Sequence, residues 1–235
     1  LHNPSTGEIT GQAPCCTNDE VLEAIAAAKA AYPGWSATPA IKRAQILYRV
    51  RELILERMDE LTMSVAKENG KVWAESEGDV LKAKEGTELA TQVPSLMMGE
   101  SIMDASRGYD TVKYREPLGV FAGIVPVNFP AMIPFGWMAP TCIAAGNTLV
   151  LKAASLTPKT AMLFAQLYKD AGVPDGVINV VTCSRNEINT ILEHPDVKGI
   201  TFVGSTPVGL KIYEKAAANG KRCQALCQAK NHALV

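Results

Sequence analysis

From residue 117 onward, short apolar runs alternate with segments of helical length, and this alternation constrains the possible folds more than any other feature. Five strands are predicted, at residues 120–125, 148–151, 177–181, 199–203 and 223–226. Helices are predicted between them, at residues 133–145, 158–171, 186–193 and 207–218. Strands that alternate with helices of about 8–14 residues indicate βαβ units. The predicted fold class is α/β, with a Rossmann-like parallel sheet flanked by helices.

The first hundred residues show helical patterning instead. A capping box at Thr17–Glu20 opens a helix that Pro33-Gly34 is expected to end. Apolar residues then keep helical spacing over residues 39–67, with Asn69-Gly70 as the stop signal. A third helix is predicted over residues 73–91. A mostly helical region therefore precedes the predicted sheet.

These patterns divide the chain into three parts. Residues 1–99 are predicted to be a helical N-terminal part of the domain, and residues 117–235 a Rossmann-like part of the type that binds dinucleotides. Between them, residues 100–116 are predicted to be a strand segment of the type that oligomers use. No internal repeat or low-complexity segment interrupts this order.

Charge and cysteine content exclude several classes of protein. The net charge is −1, which gives no electrostatic reason to expect nucleic acid or an anionic membrane as a partner. Residues 117–151 carry no charge, but five prolines interrupt them, so a membrane span is not expected. Six irregularly spaced cysteines favour a reducing compartment, either the cytoplasm or, in a eukaryote, the mitochondrial matrix. Cys223, Cys227 and His232 lack a fourth ligand partner, so no metal is expected.

Three polar features lie where predicted strands end. Asn128 follows the strand at 120–125, Lys152 follows the strand at 148–151, and the sequence GSTPVG (204–209) opens a helix. An amide can donate to an oxyanion, and a glycine-rich turn at a helix N-terminus can bind phosphate. Each feature alone also fits a structural role: a turn-capping Asn, a solvated Lys and an ordinary βα loop.

The order and spacing of the motifs resemble those of the aldehyde dehydrogenase superfamily over essentially the whole chain. The motifs are NPSTGE (3–8), ENGK (68–71), PLGVFAGIVPVNFP (117–130), AAGNTLVLK (144–152), GVPDGVINVV (172–181) and FVGSTPVG (202–209). They correspond to about the first half of such an enzyme. Within the superfamily, SLMMGE (95–100), NFPAMIP (128–134) and QALCQAKNHALV (224–235) resemble the CoA-acylating methylmalonate-semialdehyde dehydrogenases.

This resemblance implies an activity. In such enzymes a cysteine thiolate attacks the aldehyde, hydride passes to NAD, and the thioester is transferred to coenzyme A with loss of carbon dioxide. The implied cofactor is NAD, with NADP possible, and coenzyme A is the co-substrate. The implied partners are a small aldehyde and either further copies of the chain or a separate catalytic half.

The resemblance also implies roles for individual residues. Asn128 would be the oxyanion donor, Lys152 the ribose ligand, and Gly204 and Ser205 the pyrophosphate ligands. The other residues implied at the cofactor site are Val125, Pro126, Val127, Ser155, Phe202, Val208 and Leu226. The residues implied near the substrate are Phe129 and Lys82.

Four departures from the family pattern stand out, and a further difference, at Leu226, is interpreted as a trait of the CoA-acylating subfamily. Ser155 replaces the acid that would bind the adenosine ribose. Loss of that carboxylate would weaken the preference for NAD and could admit a 2′-phosphate. Lys82 replaces an arginine that contacts the substrate carboxylate, and Gln228 replaces a glycine. Aligning the chain on Lys230 puts Leu226 at the position of the general base, which suits a thioester that waits for coenzyme A.

The fourth departure is that no residue matches the family's nucleophilic cysteine. Cys227 lies close to the lost base in sequence, but a packed bystander thiol is favoured. The isolated chain is therefore expected to be inactive. The alternative function is a non-catalytic module that binds nucleotide or pairs with a separate catalytic half. An unrelated Rossmann-like reductase ranks last, because Tyr213 and Lys215 are too close to act from one helix face.

Overall fold

The computed structural model describes residues 1–228 and 232–234. Its helices are α1 (Asn18–Ala37), α2 (Ala40–Glu56), α3 (Met58–Asn69), α4 (Trp73–Ala90), α5 (Val93–Leu96), α6 (Ala139–Ala144), α7 (Pro158–Asp170), α8 (Arg185–Glu193) and α9 (Thr206–Ala218). Its strands are β1 (Glu100–Ser106), β2 (Tyr109–Lys113), β3 (Val120–Ile124), β4 (Thr148–Lys152), β5 (Ile178–Val181), β6 (Val197–Gly204) and β7 (Arg222–Cys227). A π-helix, Ile133–Met138, precedes α6 directly. Lys230, on which the general-base position was aligned, lies outside the described residues, as does part of the last family motif.

The central sheet is parallel and has the order β5-β4-β3-β6-β7. The chain moves outward from β3 to β5 and then returns to place β6 on the other side of β3. In open α/β sheets, ligands bind outside the carboxyl ends of the strands where the order reverses in this way. The predicted fold class is confirmed, and the switch point lies between β3 and β6.

Two hydrophobic cores cover the two faces of the sheet. Alternate residues of a strand point to opposite faces, so Ala122 of β3 packs with Ile25 of α1, while Leu149 of β4 packs with Leu47 of α2. Helices α1, α8 and α9 cover one face. The π-helix, α6 and α7 cover the other, with α2 to α4 outside them. Each large apolar side chain buried in this way contributes about 1.5–3 kcal/mol to the free energy of unfolding.

The predicted end of the first helix is wrong. The capping box at Thr17 and Glu20 is present, but α1 continues past Pro33 to Ala37. Beyond the proline, the indole Nε1 of Trp35 donates to the carbonyl oxygen of Ile143 at 2.9 Å in the core. This tertiary contact stabilises the last turn and overrides the local stop signal.

Two further helix predictions need correction. Residues 39–67 form two helices because the backbone leaves helical geometry at Arg57, whose side chain contacts Glu60 and Asp170. The segment predicted as a helix over 133–145 begins with a π-helix. Pro140 has no N–H to give to the carbonyl oxygen of Gly136, so regular α-helical bonding cannot continue there.

Residues 100–116 contain an antiparallel hairpin of β1 and β2, in which every residue is exposed. Its exposed apolar side chains include Ile102, Met103 and Val112. A two-stranded hairpin is only marginally stable alone in water. Among residues 1–228 and 232–234, no helix is both long enough and apolar enough to cross a membrane.

Candidate functional site

The register of the sheet brings most of the residues predicted to bind the cofactor to one edge. Ile124, the last residue of β3, is aligned with Lys152 of β4 on one side and with Phe202 of β6 on the other. The backbone N–H of Val125 donates to the carbonyl oxygen of Lys152 at 3.4 Å. The loop carrying Asn128, the end of β4 and the start of α9 therefore surround the switch point.

The N-termini of the three helices that follow β4, β5 and β6 differ in how they are capped. The carboxylate of Glu68 accepts hydrogen bonds from the backbone N–H groups of Lys159 and Thr160 at the start of α7, at 2.5 and 2.8 Å. A capping box of Ser184 and Glu187 caps the N-terminus of α8.

Helix α9 lacks such a cap. Its N-cap residue, Ser205, makes no side-chain capping bond. Free backbone N–H groups and the positive end of the helix dipole favour an anion at this position. Among these three helices, all within the described residues, α9 is therefore the one whose N-terminus is open to a phosphate group.

Close packing next to that N-terminus leaves room only for a glycine at position 204. A Cβ atom at Gly204 would lie 2.5 Å from the ring of Phe202, and one at Gly209 would lie 3.1 Å from the same ring. Phe202 is only 4% exposed, so its ring supports the turn from below. Val208, in the first turn of α9, is exposed and offers apolar surface beside the turn.

The loop that carries Asn128 is partly buried and partly open. Val125 is buried, Pro126 is half-buried, and Val127 and Asn128 are exposed. The side-chain amide of Asn69 donates to the carbonyl oxygen of Val127 at 2.7 Å. The exposed Asn128 amide is thus presented from an anchored loop at the edge of the crevice.

The roles of Glu68 and Asn69 were not predicted from the sequence. Both belong to the ENGK motif, which marked the family resemblance and, through Asn69-Gly70, the end of a helix. Glu68 caps α7 through two backbone N–H groups that lie 91 and 92 positions further along the chain. No local pattern could have identified these partners, although a carboxylate beside an Asn-Gly stop was a visible signal.

Lys82 and Leu226 line one cavity of about 440 Å³ on the sheet face opposite α9. Glu85, Trp137, Thr201 and Gln224 also line it. The ammonium group of Lys82 lies 2.6 Å from a carboxylate oxygen of Glu85. The charge predicted to meet a substrate carboxylate is therefore paired within the cavity. Phe129 and Asn128 are not among the lining residues.

The thiols of the sheet edge do not have the environment of a nucleophile. Burial raises the pKa of Cys183 to about 11, so its thiol is protonated at neutral pH. The Sγ atom of Cys227 packs towards Gly209 of α9, where an added Cβ would approach it to 2.2 Å. Leu226 faces the cavity on the other side of the sheet. This packing supports the prediction of a bystander thiol.

Gln228 adopts a left-handed backbone conformation with φ of 57°. The family resemblance implies a glycine at this position, and a left-handed conformation costs a residue with a Cβ about 1–2 kcal/mol. We therefore expect Gln228→Gly to raise the free energy of unfolding by about 0.5–1 kcal/mol, after glycine's own entropy cost. Gln224→Gly, within β7, should lower it. Chemical denaturation would contradict the prediction if both variants lost stability.

Comparison with known proteins agrees with this geometry. The family model described as the aldehyde dehydrogenase family matches residues 1–235. The chain belongs to the aldehyde dehydrogenase family. The resemblance carried by the sequence motifs is thus confirmed.

The similar family members include malonate- and methylmalonate-semialdehyde dehydrogenases. A protein named malonate-semialdehyde dehydrogenase 2, from Geobacillus kaustophilus, is 48% identical over 99% of this chain and 48% of its own length. The rat protein named methylmalonate-semialdehyde/malonate-semialdehyde dehydrogenase [acylating], mitochondrial, is 43% identical over the whole chain and 44% of its own length. The chain spans about half the length of the curated relatives it matches.

Solved structures of family members show the same fold. The methylmalonate-semialdehyde dehydrogenase DddC from Oceanimonas doudoroffii superposes with a TM-score of 0.95 at 42% identity, over 99% of this chain and 47% of that one. A Sinorhizobium meliloti protein described as a putative methylmalonate-semialdehyde dehydrogenase complexed with NAD also reaches 0.95, at 38% identity and the same coverage.

Proposed function

We propose that residues 1–235 form the cofactor-binding half of an NAD-dependent, CoA-acylating aldehyde dehydrogenase. The proposed substrate is a short semialdehyde of the malonate or methylmalonate type, which is the substrate in the names of the similar proteins. One observation carries the proposal: the uncapped N-terminus of α9 lies at the switch point, beside the ends of β3 and β4.

The residues at this edge fit a dinucleotide. Gly204 leaves no room for a Cβ, and the adjacent helix N-terminus offers N–H donors to a pyrophosphate. Lys152 supplies an ammonium group for ribose hydroxyls, and Val208 supplies apolar surface. Bound NAD would accept the hydride released when the aldehyde is oxidised.

The chain's own residues would prepare that oxidation. The exposed amide of Asn128 would donate to the carbonyl oxygen of the aldehyde as negative charge develops there. Leu226 has no group that could activate water, so the acyl intermediate would persist until coenzyme A attacks it. The nucleophilic thiolate would come from outside these residues, since Cys183 is protonated and Cys227 is packed against α9.

The direct test of this division is an assay for turnover. The purified 235-residue chain is mixed with malonate semialdehyde, NAD and coenzyme A, and absorbance of NADH is followed. We expect no NADH above the blank, because removing a covalent nucleophile costs several orders of magnitude in rate. NADH formation that an alkylating agent abolishes would show that a thiol within the chain acts as the nucleophile.

Ser155 is expected to control the choice between NAD and NADP. It is exposed in the loop after β4, at the position where the resemblance to the family implies an acid that binds the ribose hydroxyls. We expect Ser155→Glu to raise the ratio of NAD to NADP affinity about tenfold, because a carboxylate bonds the 2′-hydroxyl and repels a 2′-phosphate. Leu156→Glu, at the exposed neighbouring position, is the control. Titrations with both nucleotides would contradict the prediction if Ser155→Glu left the ratio unchanged.

The runner-up function is a nucleotide-binding module that assembles with a separate catalytic half. The open sheet face around the cavity of Lys82 and Leu226 is consistent with either function, because parallel sheets are normally covered on both faces. Association through the exposed β1–β2 hairpin also stays a prediction.

A further inference from the structure

Asn128 lies between two anchored neighbours, and both anchors come from the short segment that ends α3 and leads into α4. On one side, the Asn69 side chain holds the carbonyl of Val127 at 2.7 Å. On the other side, the ammonium group of Lys71 lies 3.9 Å from the centroid of the Phe129 ring. A cation at this distance over an aromatic face is attracted to it. The backbone is therefore held immediately before and immediately after Asn128.

A buried carboxylate extends the second anchor. Asp79 is 2% exposed, and its Oδ1 atom accepts a hydrogen bond from the backbone N–H of Met132 at 2.7 Å. Its Oδ2 atom lies 3.5 Å from the Lys71 ammonium group. Asp79 thus fixes the backbone after Phe129 and also holds Lys71 over the ring.

Holding a loop with a buried ion pair costs the desolvation free energy of its charged groups. Desolvation raises the pKa of Asp79, while Lys71 and the Met132 N–H act in the opposite direction. Such pairs contribute little net stability compared with well-packed apolar residues. Their advantage is fixed geometry, which an oxyanion donor needs because it must point at the developing charge before the reaction begins.

We propose that Asn69, Lys71 and Asp79 are positioning residues that fix the direction of the Asn128 amide. This inference rests on the proposed function, which makes Asn128 the oxyanion donor. The three residues do not touch the reacting atoms. They act through the backbone of residues 127–132, and the Lys71–Asp79 pair holds that backbone from the buried side.

The experiment is nuclear magnetic resonance of the 235-residue chain and its Lys71→Met, Lys71→Arg and Lys67→Met variants. Lys67 is an exposed lysine on α3, so Lys67→Met is the matched control. The Asn128 side-chain amide signal is identified by its loss in Asn128→Asp. In Lys71→Met we expect this signal to shift, because the backbone that carries the exposed Asn128 side chain loses one of its two anchors, and the Met132 amide to exchange at least tenfold faster. Amides of β4 and α9 should keep their exchange rates.

The conservative variant and a second anchor complete the test. Lys71→Arg should restore the Asn128 signal, because a guanidinium can also lie over the ring and pair with Asp79. If Lys71→Met does not fold, Asn69→Ala tests the other anchor and should shift the same signal. An unchanged Asn128 signal in the folded variants, or a uniform rise in exchange across the chain, would overturn the proposal. Calorimetry with NAD tests the proposed function separately, since the wild type should bind NAD whichever way the loop result falls.

Discussion

Gly86→Ala is expected to lower the free energy of unfolding by about 2–3 kcal/mol, because the added methyl group overpacks a backbone contact. Gly86 of α4 faces Gly136 of the π-helix, and a Cβ at Gly86 would lie 2.2 Å from the carbonyl oxygen of Gly136. The obstacle is backbone rather than a flexible side chain, so the two helices must separate. Both glycines also line the cavity that Lys82 lines.

Gly78→Ala is the matched control for this prediction. Gly78 lies on the same helix, but a Cβ there meets nothing within 4 Å. Alanine is the better helix former, so we expect Gly78→Ala to raise the free energy of unfolding by about 0.5–1 kcal/mol. Urea denaturation of both variants gives the comparison. Equal effects of the two substitutions would show that α4 and the π-helix are not in close contact.

Glu68→Ala is expected to destabilise the chain by about 2–4 kcal/mol, because two backbone N–H groups lose a charged partner in a nearly dry environment. Glu68 is 9% exposed, and Thr160, one of its two partners, is fully buried. The substitution also removes the cap from the N-terminus of α7. Thermal and chemical unfolding of the variant measure the loss.

Glu187→Ala provides the control at an exposed helix N-terminus. Its carboxylate accepts from the backbone N–H of Ser184 at 3.0 Å in water, so we expect a loss of only about 0.5–1 kcal/mol. Glu68→Gln keeps an acceptor oxygen and should fall between the two. If Glu68→Ala cost no more than Glu187→Ala, the capping of α7 across the fold would be contradicted.

The sheet could be predicted from the sequence because its signals are local. Each buried strand is a short apolar run, and the turn residues between runs mark where helices begin. The register at the carboxyl edge then follows from the parallel topology, which is why Asn128, Lys152 and Ser205 were expected together. The capping box at Thr17 was equally readable, since all its hydrogen bonds lie within four residues.

The errors share a different cause, which is that distant partners decide local geometry. Pro33 failed to end α1 because Trp35 is anchored on a carbonyl 108 positions away. The break at Arg57 leaves the apolar spacing intact, so periodicity could not show it. Asp79 and Lys71 make their contacts only when α4 is packed beside the Asn128 loop, so the sequence around them does not predict their role. The positions of the site residues therefore depend on tertiary contacts, whereas the residue types that would carry the chemistry can be read from the motifs.

Calorimetric titration of the 235-residue chain with NAD tests the central claim most directly. We predict one NAD bound per chain, and a loss of affinity of at least about tenfold in Lys152→Met, because charge-assisted hydrogen bonds to the ribose are removed. Lys198→Met changes an exposed lysine near the start of β6, at the opposite edge of the sheet, and should bind NAD like the wild type. Absence of NAD binding, or equal weakening in both variants, would contradict a cofactor site at the carboxyl ends of the strands.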